Sequence, residues 1–367
     1  MNPTAAGAVV VVLSAATAGL AWAQGLQAAA ALLLLGLGYG FVLQRTRLCF
    51  ASALYGNREL LRGILLGLLA ASVGSALVMG LGLNRAPRIP LGLHTLLGSA
   101  LFGFCMPFAG GCMTGTLYRL GTGQPKSLAA FLGILVGNGL GAAYAWPFTE
   151  RLLGWGWRIY LPDLIGLGPA TLLNVAVLGV LLVRLRPHGS GLSPSLAGTF
   201  LDRVLRHPWP AWVGGLIFAL LFVIQFAYHS ALGVQVPLAR FVLWAVGTVE
   251  AGVRELPWAR YWGTRIPALD PGFQLDAGLI LGALAGALAA GEFAGFRPWR
   301  GREALTGFLG GLGMGVAVWV AVGCNVSGFW SAVATLRIDG WIYALGLYLG
   351  ARAGLRVTAS LVSRGLL

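Results

Sequence analysis

Runs of about twenty apolar residues recur along this chain, near 5–23, 26–43, 62–83, 127–146, 169–185, 211–228, 274–295, 305–323 and 340–356. Inside hydrocarbon a backbone must satisfy its own N–H and C=O groups, and a helix of about 20 residues does so within one segment. The expected fold is therefore an all-α polytopic membrane protein with about nine transmembrane helices. Of the residues, 57% are hydrophobic and 10% charged, at a mean hydropathy of +0.81. The longest polar connections, near 184–208 and 252–273, are too short to bury a separate core, so residues 1–367 read as a single transmembrane domain. Ala21-Trp22-Ala23 looks like a signal-cleavage site, but no Lys or Arg precedes it, and the first span is expected to be retained.

Net charge is 25 − 11 = +14. In a membrane chain such an excess marks cytoplasmic loops, and no aromatic-interleaved basic domain points to nucleic acid. Arg184, Arg186, Arg203 and Arg206 mark one such loop, Arg297, Arg300 and Arg302 another, and Arg352, Arg356 and Arg364 a cytoplasmic C-terminus. An N-terminus free of Lys and Arg, with an odd number of spans, is then expected outside. Arg254, Arg260 and Arg265 fit this assignment less well, and some arginines are candidates for an anion-attracting vestibule.

The chain also resembles itself. At an offset of 324 − 112 = 212, Gly98 meets Gly310, Gly103 meets Gly315, Gly111 meets Gly323 and Cys112 meets Cys324. "GILVG" at 133–137 meets "GLYLG" at 346–350 after a one-residue slip, and "FVLQRTRLC" at 41–49 aligns faintly with "FVIQFAYHS" at 222–230, setting Gln44 on Gln225 and Cys49 on Ser230. Two pseudo-symmetric repeats, about 26–147 and 210–357, are expected, inverted as in many transporters, with Cys112 and Cys324 mirrored across the midplane.

Each Gly-Cys follows a glycine-spaced apolar segment and precedes small or polar residues: Thr114, Gly115 and Thr116 in one half, Asn325, Ser327 and Ser331 in the other. Gly111 and Gly323 are expected to let the backbone break into short re-entrant half-helices, whose free amides would form an anion site. A thiol placed among them is a soft, weak donor suited to an anion carrying sulfur or selenium. Cys49 in "RTRLCFASALYG" occupies a third such segment, whereas Cys105 aligns with Ala317 and reads as packing. No C-x₂₋₄-C or nearby His supports a zinc site, and no C-x-x-C supports a redox enzyme, although a Cys49–Cys112 disulfide is one alternative. His229, at a break in the second half, reads as a packing residue before a proton-coupling group.

"RLCFASAL" (47–54), "GGCMTG" (110–115) and "GCNVSG" (323–328) resemble the signatures of the YeeE/YedE family of membrane sulfur transporters. The resemblance implies an inner-membrane, multi-pass transporter of thiosulfate rather than an enzyme. It implies passage of the anion along Cys49, Cys112 and Cys324 by S–H···S hydrogen bonds, without cofactor or metal, and a TusA-like sulfur-carrier partner in the cytoplasm. Selenium-containing or other sulfur cargo, and a membrane sulfurtransferase or thiol oxidoreductase, are the alternatives. Bulky Phe329 and Trp330 after the last motif depart from the family pattern. Moving two negative charges against about 100 mV costs roughly 4–5 kcal/mol, and no sodium or proton site stands out in the sequence to offset it.

Overall fold

The computed structural model describes residues 3–185, 200–250, 252, 255, 259, 266–296 and 301–364. Arg186, Arg254, Arg260, Arg265, Arg297 and Arg300 lie outside the described residues. In chain order the helices are α1 (Pro3–Ala23), α2 (Gln27–Thr46), α3 (Phe50–Leu54), α4 (Arg58–Gly80), α5 (Leu93–Ala109), α6 (Met113–Gly121) and α7 (Pro125–Leu140). There follow α8 (Trp146–Gly154), α9 (Leu161–Ile165), α10 (Leu167–Arg184), α11 (Phe200–Leu205), α12 (Ala211–Tyr228) and α13 (Gln235–Gly247). The last are α14 (Pro271–Ala290), α15 (Gly301–Ala321), α16 (Ser331–Ala334) and α17 (Asp339–Ser363). A π-helical stretch, Gly141–Ala145, joins α7 to α8, and another, Asn325–Trp330, precedes α16.

Nine spans among the described residues are long and apolar enough to cross a membrane. Their membership differs from the apolar runs in two respects: the run at 340–356 is not among them, and 93–121 is, because α6 resumes four residues after α5 and the broken segment still reaches across. The run at 340–356 lies in α17, whose 25 residues extend about 38 Å but carry Asp339, Arg352 and Arg356.

Lipid tails are as apolar as side chains, so helices in a membrane associate through close packing at small residues. Four helix pairs do this here. Gly36 and Gly40 of α2 abut the Leu275 and Leu279 carbonyls of α14, and Gly63 and Gly67 of α4 abut those of Ala211 and Gly215 on α12. Gly133 and Gly137 of α7 meet the Phe308 and Leu312 carbonyls of α15, and Gly346 and Gly350 of α17 meet the Leu96 and Ala100 carbonyls of α5. A side chain at any of these positions would strike backbone.

The contacts between α5 and α15 are reciprocal. Gly98 lies against the Ala321 backbone and Gly310 against the Ala109 backbone, and both offsets are 212 (310 − 98 and 321 − 109). The start of each helix thus meets the end of the other, so the two cross antiparallel. The arms repeat the relation: 312 − 100 and 308 − 96 are 212, while 350 − 137 and 346 − 133 are 213.

Gly7 packs on Ala285 and Ala289, so α1 begins on the face where α14 ends. That face also carries Arg45 and Arg47, both paired with Glu292. At the centre of the bundle the rings of Phe50, Phe218 and Trp330 pack edge to face, with Phe218 also against Tyr39.

Candidate functional site

Each of the three singled-out cysteines is the N-cap of a new helical segment, with extended backbone: Cys49 before α3, Cys112 before α6 and Cys324 before the π-helical stretch. Two residues before each, the chain turns through positive φ, at Arg47 (50°), Gly110 (84°) and Val322 (55°). One local device therefore serves all three breaks: a left-handed residue ends a helix, one residue follows, and the cysteine caps the next segment. Glycine supplies that turn in only one case.

This revises the role expected of Gly111 and Gly323, neither of which adopts positive φ. Their need is space. A Cβ on Gly111 would stand 2.8 Å from Arg119 Nη1, and one on Gly323 3.0 Å from Gly328 Cα. Two of the amides at these breaks are already engaged. Gly115 N donates to Cys112 Sγ at 3.3 Å, while Cys324 N donates to Gln235 Oε1 and to Ser327 Oγ, both at 2.9 Å.

The residues fall into two clusters. In the first, Cys49 and Cys112 face a common space: a Cβ on Gly115 would stand 3.3 Å from Cys112 Sγ and 3.7 Å from Cys49 Sγ. Arg119 reaches Cys49 Sγ at 3.6 Å through Nη2 and also donates to Tyr118 Oη and the Gly110 carbonyl. The second cluster joins Cys324, Ser327 and Gln235: Ser327 Oγ donates to Gln235 Oε1 at 2.8 Å and lies 3.5 Å from Cys324 Sγ. Tyr343 supports the second, donating to the Gly323 carbonyl at 3.0 Å and packing on Gly328.

A polar cavity of about 570 Å³, lined among others by Arg47, Ser52, Tyr118, Arg119, Gln124 and Glu292, leads toward the first cluster. One of about 400 Å³, lined among others by Gln225, His229, Gln235, Ser327, Ser331 and Arg337, leads toward the second. The thiols are closed off between them, at 2%, 1% and 0% exposure for Cys49, Cys112 and Cys324. Phe329 and Trp330, the departure from the family motif, pack edge-on against Phe50, the residue after Cys49.

Thr114 Oγ1 and both amide atoms of Asn325 are buried without a hydrogen-bond partner. Cys105 packs against Gly313, as its apolar setting predicted. His229 is exposed at the rim of the second cavity and bonded to Ser230 at 2.9 Å, so it is not a packing residue. Ser230 stands open where its sequence counterpart Cys49 is closed, and the halves diverge there. All four cysteines are free thiols, which leaves the Cys49–Cys112 disulfide unformed.

Sequence reasoning missed Arg119, Gln235 and Tyr343. Arg119 carried a usable signal: it is a lone cation seven residues after Cys112, two helical turns along the same face. Gln235 carried none, because it reaches Cys324 across 89 residues of chain.

Known proteins similar to this chain are sulfur transporters by name. Over 344 residues the chain is 27% identical to a protein named thiosulfate transporter TsuA from Spirochaeta thermophila, covering 87% of this chain and 95% of that one. A protein of the same name from Escherichia coli is 24% identical over 339 residues, covering 87% and 91%. A probable transporter YedE from Salmonella typhimurium is 32% identical over 131 residues, covering 34% of this chain and 32% of that one. The family described as Sulphur transport matches residues 45–353, a stretch that contains all three cysteine breaks. The chain belongs to the Sulphur transport family of membrane proteins.

Proposed function

We propose that the chain carries thiosulfate into the cell, handing it between the Cys324 cluster and the Cys49–Cys112 pair by S–H···S hydrogen bonds. One observation carries the reading: the polar atoms beside the thiols, Thr114 Oγ1 and the Asn325 amide, are buried with no partner. Unsatisfied buried polar groups cost about 1–3 kcal/mol each, so a fold that keeps three of them beside its thiols keeps them for a ligand. The terminal sulfur of thiosulfate suits a neutral thiol, its oxygens suit Thr114, Asn325 and Ser327, and Arg119 offsets part of its charge. Weak sites in series favour release over retention. The names of the two relatives that align along nearly their whole length support the same cargo.

The reciprocal α5–α15 contacts support an inverted repeat. Helices related by a two-fold and crossing antiparallel need the axis in the membrane plane, which sets Cys112 and Cys324 on opposite sides of it. We take the arginine-rich face bearing Arg47, Arg206 and the end of α14 as cytoplasmic. An outside N-terminus rested on an odd count; α17 added to the nine apolar spans makes ten crossings, and α1 begins on the cytoplasmic face with α17 ending there.

The test is uptake of labelled thiosulfate into proteoliposomes. Cys112→Ala, which removes the donor, is expected to abolish uptake, and Cys112→Ser, a harder and shorter donor, to reduce it severely. Parental uptake by Cys112→Ala refutes the relay. A persulfide or disulfide found by mass spectrometry after turnover would replace transport with chemistry on sulfur.

A further inference from the structure

Asp276 sits in α14, one residue beyond Leu275, which with Pro271 and Gly272 lines the cavity leading to Cys324. It is 1% exposed, and neither carboxyl oxygen has a hydrogen-bond partner. No other acidic side chain among the described residues is left with both oxygens in that state. An ionised carboxylate in a membrane bundle needs a cation or several donors around it, and this one has neither, so it is held as the neutral acid.

The surrounding elements carry nothing to compensate it. On α2, Arg45 and Arg47 are tied to Glu292 at the opposite end, and Tyr39 is turned to Phe218. From α6, Tyr118 and Arg119 belong to the Cys49 cluster, and α1 carries no charged residue. On α11, Asp202 and Arg206 pair with each other, Arg203 also has a partner, and the helix approaches the other end of α14. α13 contributes Arg240, paired with Asp270 at 3.3 Å, and Asp270 also caps α14 through Gly272 N. The nearest charge along α14 is its capping residue Asp270, which is of like sign. Leu in place of Asp276 would pack at least as well, so stability does not explain the carboxyl.

We propose that Asp276 is a proton-binding site that couples the transport reaction to the proton gradient. The proposal rests on the transport reading above and supplies what that reading lacks, a source for the electrical work. A proton carried inward with the dianion halves the net charge moved, and two abolish it. Asp276 directly follows Leu275 of the cavity wall, toward the end of α14 away from the arginine-rich face, where an opening of that cavity would wet it. A metal cation is a poor fit, because no cluster of three or more His, Cys, Asp or Glu occurs among the described residues.

The experiment uses the full chain in proteoliposomes, comparing the parent with Asp276→Asn, which keeps the size of the neutral acid. Steady-state accumulation of thiosulfate by the parent is expected to rise about tenfold per unit of inside-alkaline pH gradient for each proton coupled, and to collapse with a protonophore. Asp276→Asn is expected to lose this dependence yet exchange external labelled for internal unlabelled thiosulfate at near the parental rate. The proposal is overturned if parental accumulation ignores the pH gradient, if a sodium gradient drives it instead, or if Asp276→Asn remains pH-driven or loses exchange. A parent that neither accumulates nor exchanges thiosulfate refutes the transport reading itself.

Discussion

Gly115→Ala separates passage from stability. Gly115 is the third residue of α6, its φ is not positive, and its amide donates to Cys112 Sγ. Alanine in a helix is favoured over glycine by about 0.5–1 kcal/mol, so the backbone welcomes the change. The added methyl, however, enters the space shared by the thiols, 3.3 Å from Cys112 Sγ and 3.7 Å from Cys49 Sγ. The first distance is tight by a few tenths of an ångström, which takes back part of the helical gain, and net stability should move by less than about 1 kcal/mol. An anion that loses one hydrogen bond at this point loses about 1.5–3 kcal/mol, equivalent to roughly 10- to 150-fold in its occupancy. Initial uptake at subsaturating thiosulfate should fall by that factor while thermal unfolding in detergent stays within a few degrees of the parent. Parental uptake by a folded Gly115→Ala protein would mean that the anion does not visit the space between these two sulfurs.

Three further substitutions probe the rest of the site. Gln235→Glu keeps both acceptor contacts to the Cys324 amide and Ser327, so the fold should hold. Its negative charge beside the path should repel a dianion and lower uptake at least tenfold, and unchanged uptake would remove Gln235 from the path. Arg119→Lys substitutes one compact cation for a fork that reaches Gly110, Tyr118 and Cys49 together, and should cost about 1.5–3 kcal/mol in apparent affinity, read as a raised half-saturation concentration. Val322→Gly relieves a β-branched residue at φ 55° and should stabilise the protein by up to about 1–2 kcal/mol, seen as a higher unfolding midpoint; a lower one would show that the Val322 side chain matters more than its backbone.

Much of the bundle was legible in sequence because lipid imposes one requirement on every span, and a window of twenty apolar residues records it. The run at 93–121 was passed over because its break, at Gly110–Cys112, interrupts the window. Cys112 and Cys324 stood out because Gly-Cys recurs 212 positions apart. The capping geometry of the thiols was not legible, since the left-handed residue is Gly in one break but Arg and Val in the others, which propensity argues against. Residues such as Gln235 and Tyr343 act through tertiary approach alone, and no spacing along the chain encodes that.

The offset that carries Gly98 onto Gly310 carries Arg119 onto Ser331, and the two stations it relates are therefore electrically unequal. Ser331 spends its hydroxyl on the Leu232 carbonyl, whereas Arg119 keeps a full positive charge within reach of a thiol. In the transport proposed above, this inequality would give anions a downhill slope from one mouth to the other. Rectification of flow would then arise where the halves do not match, at Arg119 against Ser331 and at Cys49 against Ser230.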